Sequence, residues 1–286
     1  MVRLGTIVEP DRSLTPVALR DGELVVLGQS MGSLLAGGVS AINRAIKNSK
    51  ATHPMDPVKL GPAAGRPGKI FCIGRNYTEH AQETGHAVSA RPDVFLRTAT
   101  SLAGPYADLA RPLASEQMDF EVELAVVIGR GGRRIEASHA LEHVGGYCVF
   151  NDISIRDFQM AGTQWTPGKN FDGTGPLGPF IVTADEIEDP QSLRLSTTIK
   201  KKDGTEEVVQ DSNTSLMVHR VDQLIAFVSV FATLEPGDVI ATGTPSGVGM
   251  ARTPQRWLIP GERVKCAIEQ IGQIENGVVS ETSDTA

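Results

Sequence analysis

The chain has 286 residues, 40% hydrophobic and 21% charged, with a net charge of −7 at neutral pH. That length supports one large domain, or a large one with a smaller companion, and the acidic balance leaves no basic excess to neutralise phosphates, which argues against nucleic acid as a partner. No apolar stretch approaches the roughly 20 residues that cross a bilayer, and the N-terminus carries no signal-peptide core, so a cytoplasmic protein without a membrane partner is expected.

Residues 1 to about 65 read as a small unit of their own. Val17–Arg20 and Glu23–Leu27 are strands joined through Asp21-Gly22, a favoured hairpin turn. A helical stretch covers roughly Met31 to Asn48. Pro54-Met55-Asp56-Pro57 and the Gly/Pro-rich run Gly61–Gly68 follow as the linker, dividing the chain into 1–65 and 66–286.

From Lys69 strand signals are dense: Lys69–Gly74, Phe120–Ile128, Gly146–Asp152, Leu193–Lys200, Glu207–Gln210, Val239–Gly243 and Arg263–Ile268. Lys200-Lys201-Lys202, before the turn Asp203-Gly204, reads as a solvated hairpin arm. Val221, Leu224, Ile225, Val228 and Phe231 fit the i, i+3, i+4, i+7 spacing of a helix. Cys72, Cys148 and Cys266 are scattered among apolar neighbours with no C-x-x-C pair, which fits small core residues in a reducing compartment better than a zinc or redox site. The tail Ser280–Ala286 is expected to fray. Mostly strands with a few helices predicts a β-rich α+β fold with a rolled or barrel-like sheet.

Several segments could carry chemistry. Glu121 and Glu123 lie one residue apart at the start of an apolar run, so on a strand both point to one face, about 7 Å apart at the backbone. Like charges so placed either share a hard divalent cation or sit on an edge strand facing water. Asp152, at a strand end, is either a third ligand or a helix cap. Three carboxylates would suit Mg²⁺, Mn²⁺ or Ca²⁺ rather than zinc. In a helix after Gly74-Arg75-Asn76, His80 and Glu83 are i, i+3 neighbours; a carboxylate on one imidazole nitrogen makes the other a better base, although a surface ion pair reads the same way. Lys169, in the turn-rich loop Thr166–Gly173, either presents its ammonium to an anion or is solvated. The run Ala241–Gly249 is an anion-binding loop or a tight turn.

Taken in order, GRNYxEHAxE at 74–83, DFEVELAVVIG at 119–129, GYxxxNDxSxRDxQ at 146–159, GKNFDG at 168–173 and EPGDVIATGTPSGVG at 235–249 resemble the fumarylacetoacetate hydrolase superfamily over about residues 69–278. Residues 1 to about 65 resemble the short N-terminal domain of its prokaryotic members. The resemblance implies a mixed β-roll assembled as a homodimer. It implies Glu121, Glu123 and Asp152 as ligands of Mg²⁺ or Mn²⁺, with Ca²⁺ as an alternative, and His80 and Glu83 as a catalytic dyad on a lid helix. Lys169 falls on the active-site lysine, and Arg75, Gln159, Gly243 and Thr244 fall on substrate-contacting positions. The family often has lysine where Arg97 follows Phe95-Leu96, which keeps the charge but changes its geometry. The activity implied first is hydrolysis of a C–C bond in a 2,4-dioxo acid such as an acylpyruvate, giving pyruvate. Isomerisation of a 2-hydroxyhepta-2,4-diene-1,7-dioate type compound, oxaloacetate decarboxylation, and binding of a 2-oxo acid without turnover are the alternatives.

Overall fold

The computed structural model describes residues 2–55 and 60–282. Asp56 and Pro57 of the expected linker, and residues 283–286 of the expected frayed tail, lie outside them.

One long sheet organises the molecule. Across it, in order, run Thr52–Pro54, Glu23–Val26, Leu14–Arg20, Arg3–Val8, Gly175–Thr183, Val144–Asn151, Val122–Ile128, Val239–Ala241, Ile70–Gly74 and Asp93–Arg97, with Leu102–Ala103 added alongside Gly175–Thr183. A second sheet orders Glu206–Asn213, Arg194–Lys200, Arg263–Ile268, Gly272–Ser280 and Leu109–Arg111. The long sheet ends on Thr52–Pro54 and Asp93–Arg97, so the fold is the β-rich α+β one expected, without a closed barrel among the described residues.

The expected division at residue 65 is not a division in packing. Arg3 and Leu4 pair with Val182 and Ile181, so the first strands extend the main sheet. Leu4, Leu34 and Ile42 share a core with Ala125, Cys148 and Ile181. The Asp21-Gly22 turn has both residues at positive φ (52° and 83°), as a two-residue hairpin of matching twist requires. The single helix expected over Met31–Asn48 is two, Met31–Ala36 and Gly38–Asn48, broken where Gly38 takes φ +64°. The lysine run is the hairpin arm expected, with Lys201 Nζ 3.0 Å from Glu207. The helix Val221–Phe231 buries the first four residues of its stripe, while Phe231 is half exposed and edge-on to Phe71. All three cysteines are free and buried. Among the described residues no helix is long and apolar enough to cross a membrane.

Val122–Ile128 sits near the centre of the long sheet, between Val144–Asn151 and Val239–Ala241, and every one of its residues is buried. Its alternate side chains feed two cores: Val122, Leu124, Val126 and Ile128 enter one, Ala125 and Val127 the other. A continuous apolar run is what a strand covered on both faces demands, and the glutamates at its start are carried inside with it.

Candidate active site

Glu121 immediately precedes this strand and Glu123 is its second residue. The antiparallel register Val122↔Asn151 places Asp152 beside Glu121, and the Asp152 N–H donates to the Glu121 carbonyl at 2.9 Å. The three side chains are 5%, 2% and 0% exposed, and one carboxylate oxygen from each lies within 4.8 Å of the others. This removes the edge-strand reading, since the acidic face meets protein rather than water. It also removes the capping reading of Asp152, because the helix Arg156–Met160 is preceded by Ile155.

Three buried cations surround the trio. Lys169 ends a single helical turn, Thr166–Lys169, where a loop was expected. Gly168 makes that turn possible, because a Cβ there would lie 2.4 Å from the Gln159 nitrogen. Lys169 is 2% exposed and donates to Glu121 Oε2 at 2.6 Å and to Asp152 Oδ2 at 2.7 Å. Burial alone would lower its pKa, but Asp152 and Glu121 outweigh burial and raise it, which favours the charged ammonium. Arg97 pairs with Asp152 Oδ1 and extends to Thr174 Oγ1 at 2.9 Å. Arg156 is the residue that sequence reasoning passed over, although it lies inside the quoted segment 146–159. It donates to Asp119 Oδ2 (2.8 Å), Glu121 Oε1 (2.7 Å) and Gln159 Oε1 (2.8 Å).

The charges do not cancel. Asp119, Glu121, Glu123 and Asp152 face Lys169, Arg97 and Arg156, four anions against three cations. Burial pushes the Glu121 carboxyl up, but Lys169 and Arg156 overcome it and hold its pKa at about 2. Glu123 goes the other way. Burial and the neighbouring Asp152 and Glu121 carboxylates drive it well above the usual range, and its one direct donor among the described residues is the Gly243 N–H at 2.9 Å. Glu123 is thus the carboxylate that the protein's own cations leave unmatched, and the one most inclined to hold a proton where no other cation stands beside it.

The helix Thr78–Glu83 brings the dyad to the same cavity. His80 Nδ1 lies 2.8 Å from Glu83 Oε1, and since an ionised carboxylate only accepts, Nδ1 carries the proton and Nε2 is the basic nitrogen. His80 is 7% exposed, so the surface ion-pair reading falls away. A cavity of about 580 Å³ is lined by His80, the three carboxylates, Lys169, Arg156, Gln159, Thr244, Arg75 and Trp165 among others. Its outer wall is a ladder of stacked groups. Lys169 Nζ is 5.3 Å from the Phe95 ring, Phe95 stands edge-on to Trp165 at 5.5 Å, and Arg75 lies over Trp165 at 5.4 Å while bonding Asp93. Two expected substrate contacts carry other bonds. Gly243 spends its N–H on Glu123, and Thr244 Oγ1 accepts from Gln210 Nε2 at 2.9 Å.

Residues 69–279 match the family model of the fumarylacetoacetate hydrolase C-terminal domain. The chain belongs to the fumarylacetoacetate hydrolase family. A mitochondrial oxaloacetate tautomerase of Rattus norvegicus is 43% identical over 258 residues, covering 88% of this chain and 80% of that protein. A mitochondrial oxaloacetate tautomerase of Homo sapiens is 43% identical over 243 residues, 84% of this chain and 76% of that one. Among solved structures, the fumarylacetoacetate hydrolase of Exiguobacterium antarcticum superposes with a TM-score of 0.81 at 32% identity, over 98% of this chain and all of that one. The 2-hydroxyhepta-2,4-diene-1,7-dioate isomerase of Mycobacterium marinum does so at 0.76 and 31%, over 99% of this chain and all of that one.

As a member of this family the chain has a donor set that fits a divalent ion. The three donors are carboxylates, the type hard cations such as Mg²⁺, Mn²⁺ and Ca²⁺ prefer. Glu123 supplies the charge that no protein cation matches. Each carboxylate oxygen has two lone pairs, so an oxygen that accepts from Lys169 or Arg156 can still face an ion.

Proposed function

We propose that this protein is a metal-dependent tautomerase of a small dicarboxylic 2-oxo acid, with oxaloacetate as the substrate. The observation that carries the reading is the placement of one basic imidazole nitrogen, His80 Nε2, on the cavity that holds the three carboxylates. The curated oxaloacetate tautomerases aligned over most of the chain support the choice of substrate. A divalent ion on Glu121, Glu123 and Asp152 would draw electron density from the oxygens of a 2-oxo acid and acidify the carbon beside the ketone.

The rest falls to the protein. His80 Nε2 takes a proton from the enol oxygen or from the adjacent carbon and returns one to the other position; Glu83 accepts the Nδ1–H and stabilises the imidazolium while it lasts. Lys169, kept charged, offsets negative charge developing on the substrate oxygens. Four anions, three cations and a divalent ion leave the site at +1, the right sign for a dianion. Tautomerisation needs no water nucleophile, so one base suffices.

The test mixes enol-oxaloacetate with Mn²⁺-loaded protein and follows the decay of the enol absorbance. Faster decay than in buffer is expected. His80→Ala should lower kcat by about 10²- to 10⁴-fold with Mn²⁺ affinity kept. Unchanged turnover in that variant would place the base elsewhere. A second reading, hydrolysis of an acylpyruvate with His80 activating water, is supported by the likeness to the Exiguobacterium hydrolase. Pyruvate release from an acylpyruvate panel, with no acceleration of enol decay, would establish it instead.

A further inference from the structure

The His80–Glu83 pair is anchored from a second side. Glu83 Oε1 faces His80 Nδ1, and Oε2 accepts the Gly247 N–H at 2.9 Å. That peptide is itself pinned. Arg252 Nε donates to the Gly247 carbonyl at 3.1 Å, its Nη2 to the Val209 carbonyl at 2.7 Å, and its Nη1 lies 3.3 Å from Glu207 Oε1. Gly247 sits at φ +104°, and a Cβ there would be 2.2 Å from the Val209 oxygen, so the backbone crosses Val209 at a distance only glycine permits. Gln210 Nε2 braces the same segment through Thr244 Oγ1 (2.9 Å) and the Pro245 carbonyl (3.0 Å). Residues 244–247 therefore form a fixed rail. The helix Thr78–Glu83 is fastened to it at Glu83 and again where Ser246 Oγ donates to Glu79 at 3.0 Å.

A carboxylate held by one oxygen can swing about its terminal torsion; held by both, it keeps Oε1 on the imidazole. Arg252 is not among the residues lining the cavity, so whatever it does for the reaction it does through others. We propose that Arg252 is a positioning residue for the proton-transfer dyad: through the Gly247 peptide it fixes the Glu83 carboxylate, and through Glu83 the orientation and tautomer of His80. The proposal rests on His80 and Glu83 being that dyad.

The experiment uses the full-length, Mn²⁺-loaded protein. Arg252→Ala should lower kcat for enol-oxaloacetate by about 10- to 100-fold, the scale of a small misplacement of a reacting group. KM and Mn²⁺ affinity should stay unchanged. In a Glu83→Ala background the same substitution should cost less than about 2-fold, because its route of action is gone. Nitrogen NMR of the imidazole should show His80 shifting from the Nδ1–H form toward the Nε2–H form. Arg252→Lys, which keeps the charge and loses the two-pronged grip, should fall between and serves if the alanine variant does not fold. Equal losses in both backgrounds, a change confined to KM or Mn²⁺ affinity, or an unmoved His80 tautomer overturns the proposal. The NMR readout needs no substrate, so it decides the role of Arg252 even if the wild-type protein fails to act on oxaloacetate.

Discussion

Arg156→Met should cost about 3–5 kcal/mol of unfolding free energy, the usual result of taking one partner from a buried ion-pair network. The guanidinium is 3% exposed and bridges Asp119 and Glu121 at 2.8 and 2.7 Å. Methionine fills much of the space and supplies no charge. Asp119 keeps the N–H donors of Phe120, Gly249 and Met250, so part of its burial remains compensated. Glu121 keeps only Lys169 as a direct cation, and its pKa should climb from about 2 toward the ordinary carboxylate range. Urea unfolding, with the slope unchanged, measures the loss. The deficit should shrink in saturating Mn²⁺ relative to chelator, because a cation on Glu121 replaces part of what the arginine supplied. A loss under about 1 kcal/mol would mean that the network is not what stabilises this strand end.

Much of this site was legible because its paired glutamates ride on a strand. Period-two geometry put Glu121 and Glu123 on one face, and the apolar run after them required burial. Asp152 needed the resemblance to join them, since nothing local tells a third ligand from a cap; the register Val122↔Asn151 brings its carboxylate beside theirs. Arg156 was missed because an arginine three residues before a glutamine reads as an ordinary helix surface. Its importance comes from Asp119 and Glu121, more than thirty residues earlier, carried to it by strand pairing. The turn at Thr166–Lys169 was misread for a related reason. Pro167 and Gly168 are loop formers by propensity, but Pro is tolerated in a first helical turn, and Gly168 is required by contact with Gln159. The β-rich α+β fold was legible from local alternation, whereas closure was not, because it depends on what the edge strands Thr52–Pro54 and Asp93–Arg97 meet.

Metal uptake should release a proton and tighten with pH. In protein stripped of divalent ions, burial, Asp152 and Glu121 raise the folded-state pKa of Glu123 well above its unfolded value. Below that raised pKa an incoming ion must displace the proton, so apparent Mn²⁺ affinity should rise about tenfold per pH unit and level off once pH passes it. The stability of the stripped protein follows the same sign. The contribution of Glu123 is fully present below its ordinary unfolded pKa and is lost as pH climbs through the raised folded one, because the unfolded chain gives up the proton more readily. The stabilisation conferred by Mn²⁺ should therefore grow with pH across that window, where the ion takes over from the proton. Calorimetric titration in buffers of different ionisation enthalpy counts the protons released. Glu123→Gln removes both the release and most of the affinity, since the amide is neutral at every pH and brings one weak oxygen where a carboxylate stood. Affinity that is flat through neutral pH, with no proton released in the wild-type protein, would show that Glu123 is already ionised before the ion arrives.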